Sequence, residues 1–319
     1  MELTVVAPPR PTAPSGAVAL RITVLAGGPS AEREVSLDSG RAIADALRRR
    51  GHAVHLADIS PEDLSALDQP ADVVFPALHG TWGEDGQLQA ILERRGLPFV
   101  GSGSCASRLA MDKLAAKRAV AALGLDTPAF EMVTSASAPA WAPRLPPPLI
   151  VKPVDQGSSV LTVVAPRQSD ARRGVEAVVA RFGRALVERF IAGDEITVGI
   201  IDGEPLPPIC VRPKSDFYDY DAKYRDDRTE YLFDAGHGAA LYRRAAENSA
   251  RVFAALGCRH LARVDWIADR AGRLWFLEVN TLPGFTSHSL VPKAAARAGM
   301  SFDELVDRLA RRPLRGGDV

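Results

Sequence analysis

Two short alternating runs near the C-terminus, Arg263 to Ala268 and Arg273 to Asn280, flank the turn signal Asp269-Arg270-Ala271-Gly272 and read as a β-hairpin. Period-two alternation puts Arg263, Asp265, Glu278 and Asn280 on one face, and Trp275, Leu277 and Val279 on the other, where they supply the packing. A turn centred between Arg270 and Ala271 sets Asp265 opposite Phe276 and diagonal to Glu278, with a backbone gap of roughly 7–8 Å. Two carboxylates at that distance, with an amide beside them, outline a site for a hard divalent cation. The competing reading is an exposed hairpin with a solvated charged face.

The chain has 319 residues, 46% of them hydrophobic and 24% charged, which suits a globular protein of two or three domains. Its net charge is zero, so the bulk electrostatics point to neither nucleic acid nor an anionic membrane as partner. Cys105, Cys210 and Cys258 are odd in number and lack a metal-ligand spacing, so they are expected to be buried small hydrophobes in a reducing, cytoplasmic setting. No apolar run reaches the roughly 18–20 residues of a membrane span. Residues 1–20 carry Glu2, Pro8, Pro9, Pro11 and Pro14, unlike a signal peptide, and read as a disordered leader.

A strand over 21–26 ends in Gly27-Gly28 and is followed by a helix over 36–50. Strands over 53–57 and 73–78, a helix over 87–95 and a short strand at 98–100 continue the alternation of an open parallel α/β sheet. A helix over 106–123 follows, with Lys113, Lys117 and Arg118 on its polar side, and then a proline-broken connector over 139–148. A new α+β unit opens at 149–153. It continues with strands over 161–164, 185–190 and 195–201, a helix over 170–182, a polar aromatic segment over 214–233, a helix over 239–256, the hairpin, and helices near 291–298 and 302–311.

Several of these segments carry chemistry. Lys152 ends a buried strand, where an ammonium is costly without an anion to pair with. The following loop, Gly157-Ser158-Ser159, can wrap phosphate oxygens or form an ordinary hairpin turn. Glu188 and Glu195 end and begin adjacent strands, as acceptors in a nucleotide site or as turn solubilisers. Asp85 can cap the helix starting near Gln87, and an isolated histidine such as His79 is more often structural than a ligand. The aromatic run Phe217 to Tyr224 has neither helical nor strand periodicity and reads as a lid. The helix start after Pro283-Gly284 offers N–H groups to an anion, or Ser289 simply caps it.

Together these residues resemble the D-alanine:D-alanine ligase family of ATP-grasp enzymes, from about Ile22 to Arg308. The matching strings are Gly27-Gly28 with 30–36, His79-Gly80 with Gly83-Glu84-Asp85-Gly86, Met111-Asp112-Lys113, Val151-Lys152-Pro153, Gly157-Ser158-Ser159, Phe217 to Tyr224, Glu278-Val279-Asn280 and 286–292, all in the family order. The resemblance implies a three-domain ATP-grasp architecture: an N-terminal α/β domain over 21–110, a central subdomain over 111–192, and a C-terminal subdomain over 193–319 bearing the lid and the metal hairpin. It implies ATP-dependent joining of two D-alanines through an acyl phosphate, for peptidoglycan synthesis, by a cytoplasmic homodimer. By the same resemblance Lys113, Lys152, Ser159, Glu188 and Glu195 bind ATP, and Asp265, Glu278 and Asn280 hold two Mg2+ (or Mn2+) ions. Glu32, Ser158, Tyr224, Arg263 and Gly284 are implied in catalysis, and His79, Lys223, Ser289 and Leu290 in substrate binding.

The chain departs from the family pattern after the phosphate loop, in the lid, and at Val211-Arg212 before Pro213-Lys214. Where the family usually has a further glycine after the phosphate loop, this sequence runs Val160-Leu161-Thr162-Val163-Val164, and the lid lacks the proline that commonly follows its last tyrosine. Two alternatives follow: a ligase taking D-lactate or D-serine as second substrate, and a non-catalytic ATP-binding relative. A D-lactate former usually has a histidine in the lid, and none lies between Lys214 and Phe233.

Overall fold

Arg21–Gly27 (β1) is buried at every position after the first, the pattern of a strand covered on both faces. The computed structural model describes residues 18–158, 160–212, 229–286 and 288–315. Ala53–Ile59 (β2) and Val73–Pro76 (β3) pair with β1 in parallel, in the order β2-β1-β3. Arg33–Arg49 (α1) links β1 to β2 and begins three residues before the expected position. The strand expected at 98–100 is reduced to one parallel bridge between Phe99 and Val74; Pro98 has no N–H to extend a ladder, and Gly101 turns the chain at φ +106°. Gln87–Arg94 (α2) starts where expected, and Asp85 accepts the Gln87 N–H at 3.1 Å.

The single helix expected over 106–123 is two, Ser104–Met111 (α3) and Lys113–Ala122 (α4). Asp112 causes the break: its backbone is extended, and its carboxylate accepts the Ala115 N–H at 2.9 Å as the cap of α4. The new axis carries Lys117 inward, so its side chain is 0% exposed rather than on a polar face. Cys105, on α3, is exposed and so departs from the expectation, whereas Cys210 and Cys258 are buried.

Phe130–Thr134 (β4), unforeseen in the sequence, opens a four-stranded antiparallel sheet with Leu149–Pro153 (β5), Val163–Ala165 (β6) and Arg184–Arg189 (β7), in the order β4-β7-β5-β6. Gln168–Phe182 (α5) packs Ala171, Val175 and Val178 against it. The third sheet is built from Gly193–Ile201 (β8), Glu204–Pro205 (β9), Ile209–Arg212 (β10), Glu230–Leu232 (β11), Leu261–Asp269 (β12) and Leu274–Asn280 (β13), in the order β11-β10-β8-β12-β13 with β9 on β8. One of its faces (Ile196, Val198, Trp266, Phe276) packs on α4 and Ala239–Ala255 (α6). The other is apolar at Ile201, Ile209 and Leu261 and polar at Glu195, Thr197, Arg263 and Asp265.

The hairpin β12-β13 forms, in a different register from the expected one. Asp265 lies directly opposite Glu278, and Trp266 opposite Phe276, with a bulge between. Two features shift it. The turn is a three-residue loop ending at Gly272 (φ +74°), and Leu277 is an extra residue on β13. The bulge aims Leu277 and Glu278 into the same cavity, and Trp275 pairs with Ile267 on that side. The packing face is therefore Leu274, Phe276 and Val279, not Trp275 and Leu277.

The N-terminal sheet does not have a core of its own on this side. Ile22, Val24 and Phe75 share one cluster with Ile201, Leu261 and two helices near the C-terminus, Leu290–Arg297 (α7) and Phe302–Arg311 (α8). Beside that cluster, His52 Nε2 donates to Asp307 Oδ1 at 2.8 Å while its Nδ1 accepts the Leu20 N–H at 3.0 Å, and Arg311 and Arg50 also donate to Asp307. Burial alone would raise the Asp307 pKa, but the His52, Arg311 and Arg50 donors outweigh it and hold the carboxyl below its ordinary value. Asp307→Asn should cost about 1.5–3 kcal/mol in urea unfolding at neutral pH. Because the folded pKa is the depressed one, this contribution is present above 3.8 and lost as pH falls through the lower folded value. The gap between wild type and variant should close there.

Candidate active site

Two adjoining cavities lie on the polar face of the large sheet. The larger, ≈ 440 Å³, is lined by Lys113, Lys152, Glu188, Glu195, Asp265, Leu277 and Glu278, among others, and sits between the four- and six-stranded sheets. The smaller, ≈ 70 Å³, is lined by Glu32, Glu84, Ser158, Arg263, Asn280, Gly284, Ser289 and Leu290, and so draws on all three units. Lys113, Glu195 and Glu278 line both.

At the wall of the larger cavity Glu188 is 1% exposed and lies between two ammonium groups, Lys117 and Lys152, each 3.1 Å from its Oε1. Burial raises its pKa, but the two lysines outweigh burial and hold the carboxyl below its usual range. Lys117 donates further to Thr127 Oγ1 at 2.9 Å and to the Phe276 carbonyl at 3.2 Å. Burial pushes its pKa down to about 8, against the pull of Glu188. One carboxylate thus serves two lysines, and of the two it is Lys152 that lines the cavity.

On β12 and β13, Arg263 makes a forked pair with Asp265 (Nε to Oδ1 3.0 Å, Nη2 to Oδ2 2.8 Å), and Thr197 Oγ1 donates to Oδ1 at 2.6 Å. Glu278 stands 3.3 Å from Lys113 Nζ, which also donates to the Gln156 carbonyl at 2.6 Å. The Asn280 side-chain oxygen accepts the Leu282 N–H at 2.9 Å. Two carboxylates and an amide oxygen on one face are an all-oxygen donor set suited to a hard divalent cation.

Glu32 occupies the N-cap position of α1 without capping it; its carboxylate accepts the Ser158 hydroxyl from across the cleft. His79 lies behind it, 5% exposed: Ser39 Oγ donates to Nε2 (3.3 Å) and Nδ1–H donates to the Leu282 carbonyl (3.1 Å). Burial lowers its pKa and favours the neutral imidazole, and His79 lines neither cavity. Ser289 stands at the N-cap of α7 but makes no capping bond; its hydroxyl accepts the Thr286 N–H at 2.9 Å. A side chain at Gly284 would start 2.8 Å from that hydroxyl, which would then have to turn away. In the phosphate-loop candidate, Ser158 (φ +50°) and Leu161 (φ +49°) both adopt left-handed backbone.

Of the sequence-derived site residues, Lys113, Lys152, Glu188, Glu195, Asp265 and Glu278 meet in the larger cavity, and Glu32, Ser158, Arg263, Asn280, Gly284, Ser289 and Leu290 in the smaller. Ser159, Lys223 and Tyr224, with the lid segment over 217–224, lie outside the described residues. Lys117, Thr197 and Glu84 belong to the same surroundings and received no role from the sequence. Only the period of the broken helix could have revealed Lys117, and the Asp112 cap disguised it.

The depressed Lys117 pKa gives a signed expectation. Between about 8 and 10.5 the unfolded chain binds the Lys117 proton and the folded chain does not, so this residue's contribution becomes more favourable as pH rises. The stability difference between wild type and Lys117→Met, from urea unfolding, should therefore shift in favour of wild type across that window.

A family model described as "D-ala D-ala ligase C-terminus" matches residues 120–311, and one described as "D-ala D-ala ligase N-terminus" matches 57–102. The D-alanine:D-alanine ligase of Syntrophotalea carbinolica is 45% identical over 291 residues, 91% of this chain and 94% of that protein. Among solved structures, the D-alanine:D-alanine ligase from Bacillus anthracis complexed with ATP matches with a TM-score of 0.79 at 30% identity, over 93% of this chain and 98% of that one. The VanG D-Ala:D-Ser ligase from Enterococcus faecalis matches with a TM-score of 0.81 at 27% identity, over 93% and 100%. The expected ATP-grasp fold class is thus the observed one, and by sequence and architecture the chain belongs to the D-alanine:D-alanine ligase family.

Proposed function

We propose that the protein is an ADP-forming ligase that joins two D-alanines, with the larger cavity taking ATP and the smaller the amino acids. The observation that carries this reading is the shared wall: Lys113, Glu195 and Glu278 line both cavities, so a terminal phosphate and a small carboxylate meet there. The first D-alanine's carboxylate oxygen attacks the γ-phosphorus, the bond to ADP breaks, and an acyl phosphate forms. The second D-alanine's amine, having lost a proton, attacks the acyl carbon, and inorganic phosphate leaves. Lys113 and Lys152 offset phosphate charge that would otherwise keep the two anions apart.

Asp265, Glu278 and Asn280 fit Mg2+ by donor chemistry, and would hold it; when bound, the ion neutralises phosphate charge. Glu32 receives the first substrate's ammonium and is steadied by Ser158. Arg263 and the Gly284 N–H donate to the oxyanion of the tetrahedral intermediate, and Ser289 with the adjoining turn of Leu290 receives the second substrate's carboxylate. His79 stays neutral behind Glu32. Ser159, Lys223 and Tyr224 complete the phosphate loop and the lid. In this reading residues 21–110, 111–192 and 193–319 are the three domains, and residues 1–20 precede them.

The product is a peptidoglycan precursor, and the demand for ATP fits the cytoplasm; among the described residues no helix is long and apolar enough to cross a membrane. A homodimer is part of the proposal, to be tested by light scattering. The relative at 45% identity is a dipeptide-forming ligase and the D-Ala:D-Ser ligase stands at 27%, which favours D-alanine as second substrate.

With ATP, Mg2+ and D-alanine, phosphate release should accompany formation of D-alanyl-D-alanine by mass spectrometry, and replacing the second substrate by D-lactate or D-serine should yield little mixed product. ATP binding without phosphate release on any substrate would overturn the reading. Arg263→Met should lower kcat by about 10²–10³-fold, the usual cost of removing one oxyanion donor, in the same assay.

A further inference from the structure

Glu84 is a carboxyl group of the smaller cavity that this mechanism does not use. It is 7% exposed and lines the cavity with Glu32, Arg263 and Asn280, and its Oε2 is fully buried with no hydrogen-bond partner. Glycines hold the space around it open. A Cβ at Gly157 would lie 3.2 Å from Glu32 Oε2 and 3.9 Å from Glu84 Oε1, so both carboxyl groups face the same spot beneath the phosphate loop. Gly80, at φ +69°, would bring a Cβ to 3.0 Å from the same Glu32 oxygen.

Two carboxyl groups this close in a buried pocket cannot both ionise cheaply. Glu32 has the Ser158 hydroxyl as donor, whereas one oxygen of Glu84 has nothing. Burial first, and then the Glu32 charge, push the Glu84 pKa well up; Arg263 and a backbone hydrogen bond at Gly80 pull the other way, and Glu278 adds slightly to the rise. The neutral His79 behind Glu32 does not supply a cation.

We propose that Glu84 is a second carboxylate of the first amino-acid subsite, which receives the substrate's α-ammonium together with Glu32 and releases its own proton to solvent as the ammonium enters. This rests on reading the smaller cavity as that subsite. The balance is simple: the zwitterion arrives with its ammonium intact, the Glu84 O–H bond breaks, the proton goes to water, and the carboxylate left behind pairs with the ammonium. A D-hydroxy acid brings no cation, so it would leave Glu84 protonated and Oε2 unsatisfied, and the first subsite therefore selects an amino acid.

The test is calorimetric titration of the full-length protein, held with ADP and Mg2+, by D-alanine in two buffers of different ionisation enthalpy near neutral pH. Wild type should release close to one proton per D-alanine bound at the first subsite, and Glu84→Gln none, with at least about a tenfold rise in the KM for the first D-alanine and an unchanged KM for ATP, one unsatisfied charged partner being worth about that much. Wild type binding D-alanine without proton release, or Glu84→Gln releasing the same proton, would overturn the assignment. The wild-type count stands even if the variant fails to fold. If wild type binds no D-alanine at all, the subsite reading itself falls and takes this proposal with it, a result distinct from binding without proton release.

Discussion

A carboxylate carried into the middle of a sheet requires donors and positive charge around it, and Asp265, 2% exposed on a strand with neighbours on both sides, sets that requirement at the centre of this molecule. Arg263 answers from two residues away on the same face and Thr197 from the adjacent β8, so the polar half of that face is fixed by one buried charge. Glu278 repeats the problem directly opposite on β13, and Lys113 meets it from the start of α4. Each solution brings another ionisable group inward. Lys117 then requires Glu188, and Glu188 requires Lys152. The result is three groups of charges, Arg263 with Asp265, Lys113 with Glu278, and Glu188 with Lys117 and Lys152, in which truncating one partner takes a compensating charge from another.

Apolar packing decides where the N-terminal unit stands relative to these charges. β1, β3 and α1 share a cluster with β8, β12, α7 and α8, so the N-terminal sheet cannot shift without opening a core common to both ends of the chain. Glu32 starts α1, and Glu84 lies in the glycine turn before α2; both reach a cavity whose other walls are Ser158 and Arg263. A site at the meeting of three units, each contributing charged groups, is held to its geometry by the cluster behind it.

Much of this was legible in the sequence, and the exceptions have identifiable causes. The parallel β1-β2-β3 unit, α5, α6, α8 and the hairpin were readable from periodicity and turn residues. The hairpin register was not, because a bulge is one extra residue that alternation cannot reveal, and it exchanged the roles of Leu277 and Phe276. β4, β10 and β11 escaped because strands of three to five residues carry too few alternations to separate from loop. Lys117 was assigned to solvent because a lysine on a helix usually is there; the Asp112 break and the distant Glu188 that make it a core residue are tertiary facts. The motif residues themselves were found through family resemblance, and their convergence into two adjoining cavities is what the fold adds.

Leu161 is the strongest argument in the sequence for a protein that binds nucleotide without turnover, since it stands where relatives usually carry glycine. Its backbone is at φ +49°, in the left-handed region that glycine enters freely and leucine enters at a cost of about 1–2 kcal/mol. The turn a glycine would make is therefore still made. What holds it there is packing: Leu161 is half-buried against the Val151 and Val175 cluster, and fully burying a leucine contributes about 1.5–3 kcal/mol, so partial burial offsets a strain of this size. The substitution exchanges backbone freedom for apolar contact, and in the same loop the Ser158 hydroxyl donates to Glu32. A leucine that adopts the left-handed backbone open to glycine gives no physical reason for lost turnover, and the case for a non-catalytic relative loses the one feature that favoured it.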